Sequence, residues 1–276
     1  MVDELNVPPG LTPLAEGREG QVFLRADDEV VKVMRSPSQE PRVRREAAAL
    51  QALAGREHLA PEFREVTEVA GRPALVTERV EGHDLLTRLS RQPWLVLRVA
   101  GTLGRAHAAM HRHEAPDALP ELRQELRRHI ESARALPGFI ATAALGLLDA
   151  LPSGDRLCHG DFHPANVLGT LEAPVVIDWG DASRGAPVAD VARTLLLLRL
   201  GEPPPTMTAG MRALTAIGRG MLTRRYLAVH RSATQDLSRL QDWMFVRAAA
   251  RFNEELEVEY PRLLRLLESH PRAAAQ

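Results

Sequence analysis

Two short polar stretches, HGDFHPAN (His159 to Asn166) and IDWGD (Ile177 to Asp181), restrict this chain more than anything else in it. Each adjoins an apolar run: Leu157-Cys158 before the first, Val167-Leu168 after it, and Val175-Val176 before the second. An apolar strand has no need to end on a carboxylate, yet one would end on Asp178, twelve residues after Asn166. If NVLGT and VVIDW pair as a hairpin, Asp161, Asn166 and Asp178 come together. Three chemistries compete for that arrangement. His159, Asp161 and His163 alternate like the metal ligands of a metal-dependent hydrolase. Asp161 and Asn166 also suit a base and a magnesium ligand. A plain turn would use Asp, Asn and Pro to satisfy backbone groups. Two oxygen ligands completed by nucleotide phosphates suit magnesium, and a third acid can orient a hydroxyl and take its proton. That account fits the spacing better than a histidine site.

The rest of the chain sets the frame. At 276 residues it can form one large domain or two lobes with ample core. A net charge of −1 with 26% charged residues advertises neither nucleic acid nor an anionic membrane as partner. No apolar run is long enough to span a bilayer. The opening MVDELNVPPGL has early acids and no apolar core of a secretory signal. The single cysteine, Cys158, cannot form an internal disulfide, which fits a reducing cytosol. Heavy use of Ala, Arg, Leu and Pro suggests a GC-rich bacterial source.

Periodicity divides the chain near Glu81-Gly82, into a small β-rich lobe (1–81) and a large, mainly helical lobe (82–276), an α+β architecture. QVFLRA and EVVKVM flank Asp27-Asp28 as a hairpin, and FREVTEV and PALVTERV flank Gly71-Arg72 as another. PRVRREAAALQALAG between them has helical period, with Pro41 near its start and Gly55 at its end. Residues 84–150 read as helices broken near Pro93, Pro116 and Pro137. Helices resume at Pro187, interrupted by GEPPP (Gly201 to Pro205) and Pro261, and HPRAAAQ reads as a frayed tail. A cleft between two such lobes is a usual place for a small-molecule site.

HGDFHPANVL and VVIDWGDASRGAPVADVA resemble the catalytic and metal-binding segments of the aminoglycoside phosphotransferase family, small-molecule kinases with a two-lobed protein-kinase-like fold. The likeness extends more weakly from Leu11 to the last helix. It implies transfer of the terminal phosphate of ATP or GTP, with magnesium, to a hydroxyl of a small molecule. It implies Asp161 as catalytic base, Asn166 and Asp178 as magnesium ligands, and His159 and His163 as loop braces. Relatives use the equivalent of Asp190 structurally, and Asp190 itself reads as a helix N-terminal, loop-anchoring acid.

The small lobe tests the same idea independently. Such a site needs a strand lysine on the phosphates, held by a helix glutamate. Lys32 sits mid-strand between Val31 and Val33. In the following helix Val43, Ala47, Leu50 and Ala54 make an apolar stripe, and Glu46 lies within about 60° of its centre. A carboxylate that close to a buried stripe needs a cation, and Lys32 is the nearest. LAEGREGQVF has Gly17 and Gly20 rather than a full glycine-rich phosphate loop. The linker Glu78, Arg79 and Val80 is expected to meet the nucleotide base through its backbone.

Other features read as structure. Cys158 and its neighbour His159 point to opposite faces, so no dyad is implied. His107 and His111 lack the glutamate of H-E-x-x-H and read as a core or solvated helix face. Trp94, Trp179 and Trp243 read as packing residues. Asp181 and Glu254, in acid-rich surroundings, are the expected contacts for an amine-bearing acceptor, and a solvated acidic face is the plainer account of them. An inactive nucleotide-binding scaffold has no support in the sequence, because Lys32, Asp161, Asn166 and Asp178 are all present.

Overall fold

A computed structural model describes residues 10–55, 59–200, 208–234 and 237–271. The start of MVDELNVPPGL (1–9), the GEPPP segment and residues 272–276 of the tail lie outside the described residues. The first elements are β1 (Thr12–Glu16), β2 (Gly20–Ala26), β3 (Glu29–Met34), α1 (Glu40–Ala52), β4 (Phe63–Val69) and β5 (Arg72–Glu78). The strands form one antiparallel sheet in the order β1-β2-β3-β5-β4, with α1 inserted between β3 and β4. Lys32 lies in central strand β3, opposite Val22 on one side and Leu75 on the other. The Asp27-Asp28 hairpin forms between β2 and β3. The second turn is Ala70-Gly71, both with positive φ, rather than Gly71-Arg72, so Arg72 already belongs to β5.

Helix α1 is entered through a capping box in which the Ser36 side chain accepts from Ser38 N and Gln39 reaches back to Ser36 N. It stops at Ala52, two residues short of the last position of its apolar period, Ala54. Ala54 is therefore exposed, and Leu53 fills the core in its place.

The helical part follows as α2 (Leu85–Arg91), α3 (Val96–Met110), α4 (Leu122–Ser132), α5 (Gly138–Ala150), α6 (Pro187–Leu200), α7 (Ala209–Thr234), α8 (Leu240–Ala250) and α9 (Tyr260–Glu268). Asp84 caps α2 by accepting from Thr87 N at 2.8 Å. Pro261 opens α9 in its first turn rather than interrupting a helix, since a missing N–H costs nothing there. Two small antiparallel pairs lie between α5 and α6: β6 (Arg156–Cys158) with β9 (Ser183–Gly185), and β7 (Val167–Gly169) with β8 (Pro174–Val176). Trp179 and Trp243 are fully buried, but Trp94 is 73% exposed and does not pack. Cys158 is buried, and burial pushes its thiol well above the ordinary range. No helix among the described residues is long and apolar enough to cross a membrane.

The core behind the β6–β9 pair is polar. Asp190 of α6 is fully buried and accepts from His159 N at 2.7 Å, Gly160 N at 2.9 Å, His107 Nε2 at 3.1 Å and His111 Nε2 at 3.2 Å. Burial alone would raise its carboxyl, yet the two histidine hydrogen bonds hold it well below the usual range. An ionised acceptor fixes the tautomers: each Nε2 carries a proton and each Nδ1 a lone pair. Those lone pairs accept from Tyr226 Oη at 2.5 Å and from His230 Nε2 at 3.1 Å. His107, His111 and His230 stand close enough to share a metal, but hydrogen bonds already use the ring nitrogens that face one another. The face that the sequence leaves as core or solvated is core.

Burial, the largest influence, lowers His107 to about 3 and His230 to about 2. Both lie below the unfolded value of about 6.5, so the unfolded chain takes up these protons first and loses none of its affinity for them. Stability present above about pH 6.5 should therefore fall as pH drops below it. Urea midpoints measured from pH 7.5 to 5 should decline, and a midpoint that holds or rises would show these rings are not buried neutral.

Candidate active site

The residues singled out in the sequence converge where α1 and β3 face the β6–β9 segment. Gly160, at φ +81°, carries the chain past the turn after β8, where a Cβ would lie 2.3 Å from Asp181 O. His159 turns inward: its Nε2 meets Ile177 O at 3.0 Å and its Nδ1 accepts from Asp161 N at 3.2 Å. Both ring nitrogens of His159 thus serve the backbone. His163 Nδ1 likewise accepts from Ala165 N at 3.2 Å, while its Nε2 lies 3.4 Å from Asp161 Oδ2. A His159–Asp161–His163 metal triad is not available in this arrangement, which removes the ground for the hydrolase alternative.

Asn166 ends the loop with its amide nitrogen donating to Asp161 O at 2.9 Å and to Asp161 Oδ2 at 3.3 Å. Pairing of β7 with β8 brings Ile177 N to Asn166 O at 3.0 Å, so Asp178 follows directly beside Asn166. Asp178 is left-handed, φ 63° and ψ 63°, a conformation that costs a non-glycine residue energy and recurs at functional sites. It bends the chain out of β8 into a tight turn, Trp179–Asp181.

The sheet supplies the opposing charge. Lys32 Nζ donates to Glu46 Oε2 at 2.9 Å and to Asp178 Oδ1 at 2.6 Å. Glu46, buried in α1, also accepts from Trp179 N at 3.2 Å through Oε1. One carboxylate therefore ties the strand lysine to the turn that carries Asp178. Burial works against the charge on Lys32, but Glu46 and then Asp178 outweigh it and push its pKa up. For Asp178, burial would raise the carboxyl, and Lys32 holds it down instead.

Asp161 shows the same contest. Burial raises its carboxyl, while the His163 hydrogen bond, with Arg193 and His159 nearby, brings it well below the usual carboxylate range. It stays ionised at any ordinary pH.

The acids expected to face an acceptor are already engaged. Asp181 is held by both terminal nitrogens of Arg42, at 2.7 and 3.0 Å, with Gly180 leaving the space through which Arg42 crosses. Glu254 pairs with Arg193 Nη1 at 2.7 Å and Arg251 Nη1 at 2.9 Å. Neither is a free receptor for an ammonium group, contrary to expectation. The sequence did not single out Arg42 or Arg193; the one hint for Arg193 is its place one turn after Asp190 on α6. At the linker, Glu78 N donates to Glu62 O and Arg79 N to Asp28 O, at 2.9 and 2.7 Å. Their N–H groups are thus turned inward, and of the three only the Val80 N–H has no acceptor among the described residues.

The model of the phosphotransferase enzyme family (APH) matches residues 10–227. The chain belongs to this family. Solved structures share the phosphotransferase fold. A thermostable mutant of aminoglycoside phosphotransferase APH(4)-Ia, in ternary complex with AMP-PNP and hygromycin B, has a TM-score of 0.68 at 14% identity, over 98% of this chain and 97% of that one. An aminoglycoside-3'-phosphotransferase of type VIII gives 0.62 at 22% identity, over 88% and 94%. The GDP and kanamycin complex of APH(2")-IIIa gives 0.62 at 19%, over 95% and 90%. No curated protein matches the chain by sequence. The fold is the kinase-like one of aminoglycoside phosphotransferases, an antiparallel sheet followed by a helical part, and the phosphotransferase is a small-molecule kinase by family.

Glu46→Gln should cost this phosphotransferase about 2 kcal/mol, the scale of a lost hydrogen bond to a charged group. Guanidinium unfolding measures it, and an unchanged midpoint would mean that Lys32 and Trp179 N do not depend on Glu46.

Proposed function

We propose that the protein transfers the terminal phosphate of a nucleoside triphosphate to a hydroxyl of a small molecule, in a cleft between lobes that meet at Glu81-Gly82. The observation that carries this reading is Lys32, which reaches Glu46 and Asp178 together at one wall of the site. The nucleotide base would meet the linker at Val80, beside Glu78 and Arg79. Lys32 would turn from Asp178 to the phosphates while Glu46 keeps its ammonium in place. Strand β3 and helix α1 fix both partners before substrate arrives, which is the positioning that phosphoryl transfer chiefly needs.

Asn166 and Asp178 fit magnesium. The Asn166 amide nitrogen is engaged by Asp161, which leaves its oxygen as ligand, and Asp178 adds a carboxylate beside it. Hard oxygen donors of this kind suit a cation that also takes phosphate oxygens, and the ion would supply neutralisation of phosphate charge. Asp161 would orient the acceptor hydroxyl and take its proton as the new P–O bond forms. A carboxylate this acidic is a weak base, which suits a loose transition state in which proton transfer is late. His159 and Asp190 would hold the loop from behind.

The acceptor class is a small-molecule hydroxyl; an aminoglycoside or other amine-bearing polyol is one member. Arg42 and Arg193, already on Asp181 and Glu254, give no special advantage to a polycation. A bacterial cytosol fits a nucleotide substrate and one buried thiol. A panel of hydroxyl compounds, kanamycin and hygromycin B among them, assayed for ADP release tests the reading.

Asp161→Ala should leave nucleotide affinity nearly intact while turnover falls by ~100-fold or more, the scale of a lost general base. Turnover within a few-fold of the parent would end the assignment. Asp178→Asn should weaken nucleotide binding in magnesium far more than without it, by calorimetry. Equal magnesium dependence in mutant and parent would place the metal elsewhere.

A further inference from the structure

Resting on the phosphoryl-transfer reading, we propose that Arg193 of α6 is a positioning residue that orients Asp161 toward the acceptor hydroxyl, with Glu254 as its strut rather than a substrate contact. Arg193 is largely buried, its side chain only 12% exposed. Each arm of its guanidinium has its own place. Nε donates to Gly160 O at 3.1 Å, in the residue before Asp161. Nη1 meets Glu254 Oε1 at 2.7 Å, and Nη2 stands 3.9 Å from Asp161 Oδ1.

The two oxygens of Asp161 are thereby made different. Oδ2 faces Asn166 Nδ2 at 3.3 Å and His163 Nε2 at 3.4 Å. Among the described residues Oδ1 faces the longer approach of Arg193, too long for a hydrogen bond, so its lone pairs stay open to a hydroxyl. A planar guanidinium anchored at two points cannot swing its third arm away, and an ammonium has no such fork. Glu254 is held in turn by Arg251, whose Nε and Nη2 reach Glu259 at 2.5 and 2.7 Å. The chain of alternating charges runs from the catalytic loop to the start of α9, and it fixes the strut from behind. Removing Arg193 takes away both the arm that approaches Oδ1 and the tie to Gly160 O, so the carboxylate loses what fixes its direction.

The test compares Arg193→Met, Arg193→Lys and Glu254→Gln with the parent. Acceptor-independent nucleotide hydrolysis, and transfer to the best hydroxyl compound of the panel, are followed with kcat and KM read separately. Arg193→Met should lower kcat by about 10-fold or more with nucleotide KM within about 2-fold, as for an interaction made in the transition state. Arg193→Lys keeps the charge yet should not restore the full kcat, because an ammonium has no fork to hold Gly160 O and Glu254 together, and Glu254→Gln should show a smaller loss of the same kind. A parental kcat in Arg193→Met overturns the proposal. Full rescue by Arg193→Lys, or a loss of kcat matched by equal damage to nucleotide KM and melting temperature in all three variants, overturns it too and leaves Arg193 structural. If Arg193→Met does not fold, the other two variants decide. The parent and Asp161→Asn run alongside separate the two ideas: a parent that transfers phosphate to no hydroxyl sinks the phosphoryl-transfer reading itself, whereas an inactive Asp161→Asn with a parental Arg193→Met sinks only this one.

Discussion

A single carboxylate without access to water, that of Asp190, sets the geometry on which the site depends. It takes the backbone N–H groups of His159 and Gly160, the ring of His107 in α3 and the ring of His111 just after it, so the loop is fastened to the helical core rather than laid over it. An ionised group at zero exposure is tolerable only when its lone pairs are filled, and here four donors fill them. Because the acceptor is charged, it also dictates which nitrogen of each histidine carries the proton. The tautomers, the tilt of the rings and the path of His159-Gly160-Asp161 all follow from it.

The second organising contact joins the two halves. Glu46 faces Lys32 with one oxygen and Trp179 N with the other, so helix α1 senses both the strand that holds the lysine and the turn that holds Asp178. Arg42, one turn earlier on α1, grips Asp181 at the far end of that same turn. Sheet, helix and the Trp179–Asp181 turn thus share two ion pairs and a backbone hydrogen bond made through α1, and displacement of α1 would disturb all of them at once.

Much of this was legible in the chain. The strand lysine between valines and the glutamate near an apolar stripe both announced a buried pair, because a charge in such a place needs a counter-charge. The hairpin that sets Asn166 beside Asp178 was readable from two apolar runs at the right separation. The arginine partners were not. Arg42 meets Asp181 across 139 residues, and Arg193 meets Glu254 from a different helix, so no local period marks either pair. An acid in sequence looks the same whether it waits for a ligand or already holds a guanidinium; Asp181 and Glu254 are the second kind. The early end of α1 was hidden for a similar reason, since Ala54 continues the period but is exposed.

The sole cysteine has a practical side. Cys158 lies on β6, buried just before the His159–Asn166 loop, with its thiol held protonated by burial. Thiol-directed dyes and spin labels will pass it by while the fold is intact. A cysteine added to the exposed tip of the sheet and another on the helical part would therefore take probes cleanly, with no background site to remove. The distance between two such probes can then be measured by spectroscopy in a chain otherwise left as it is.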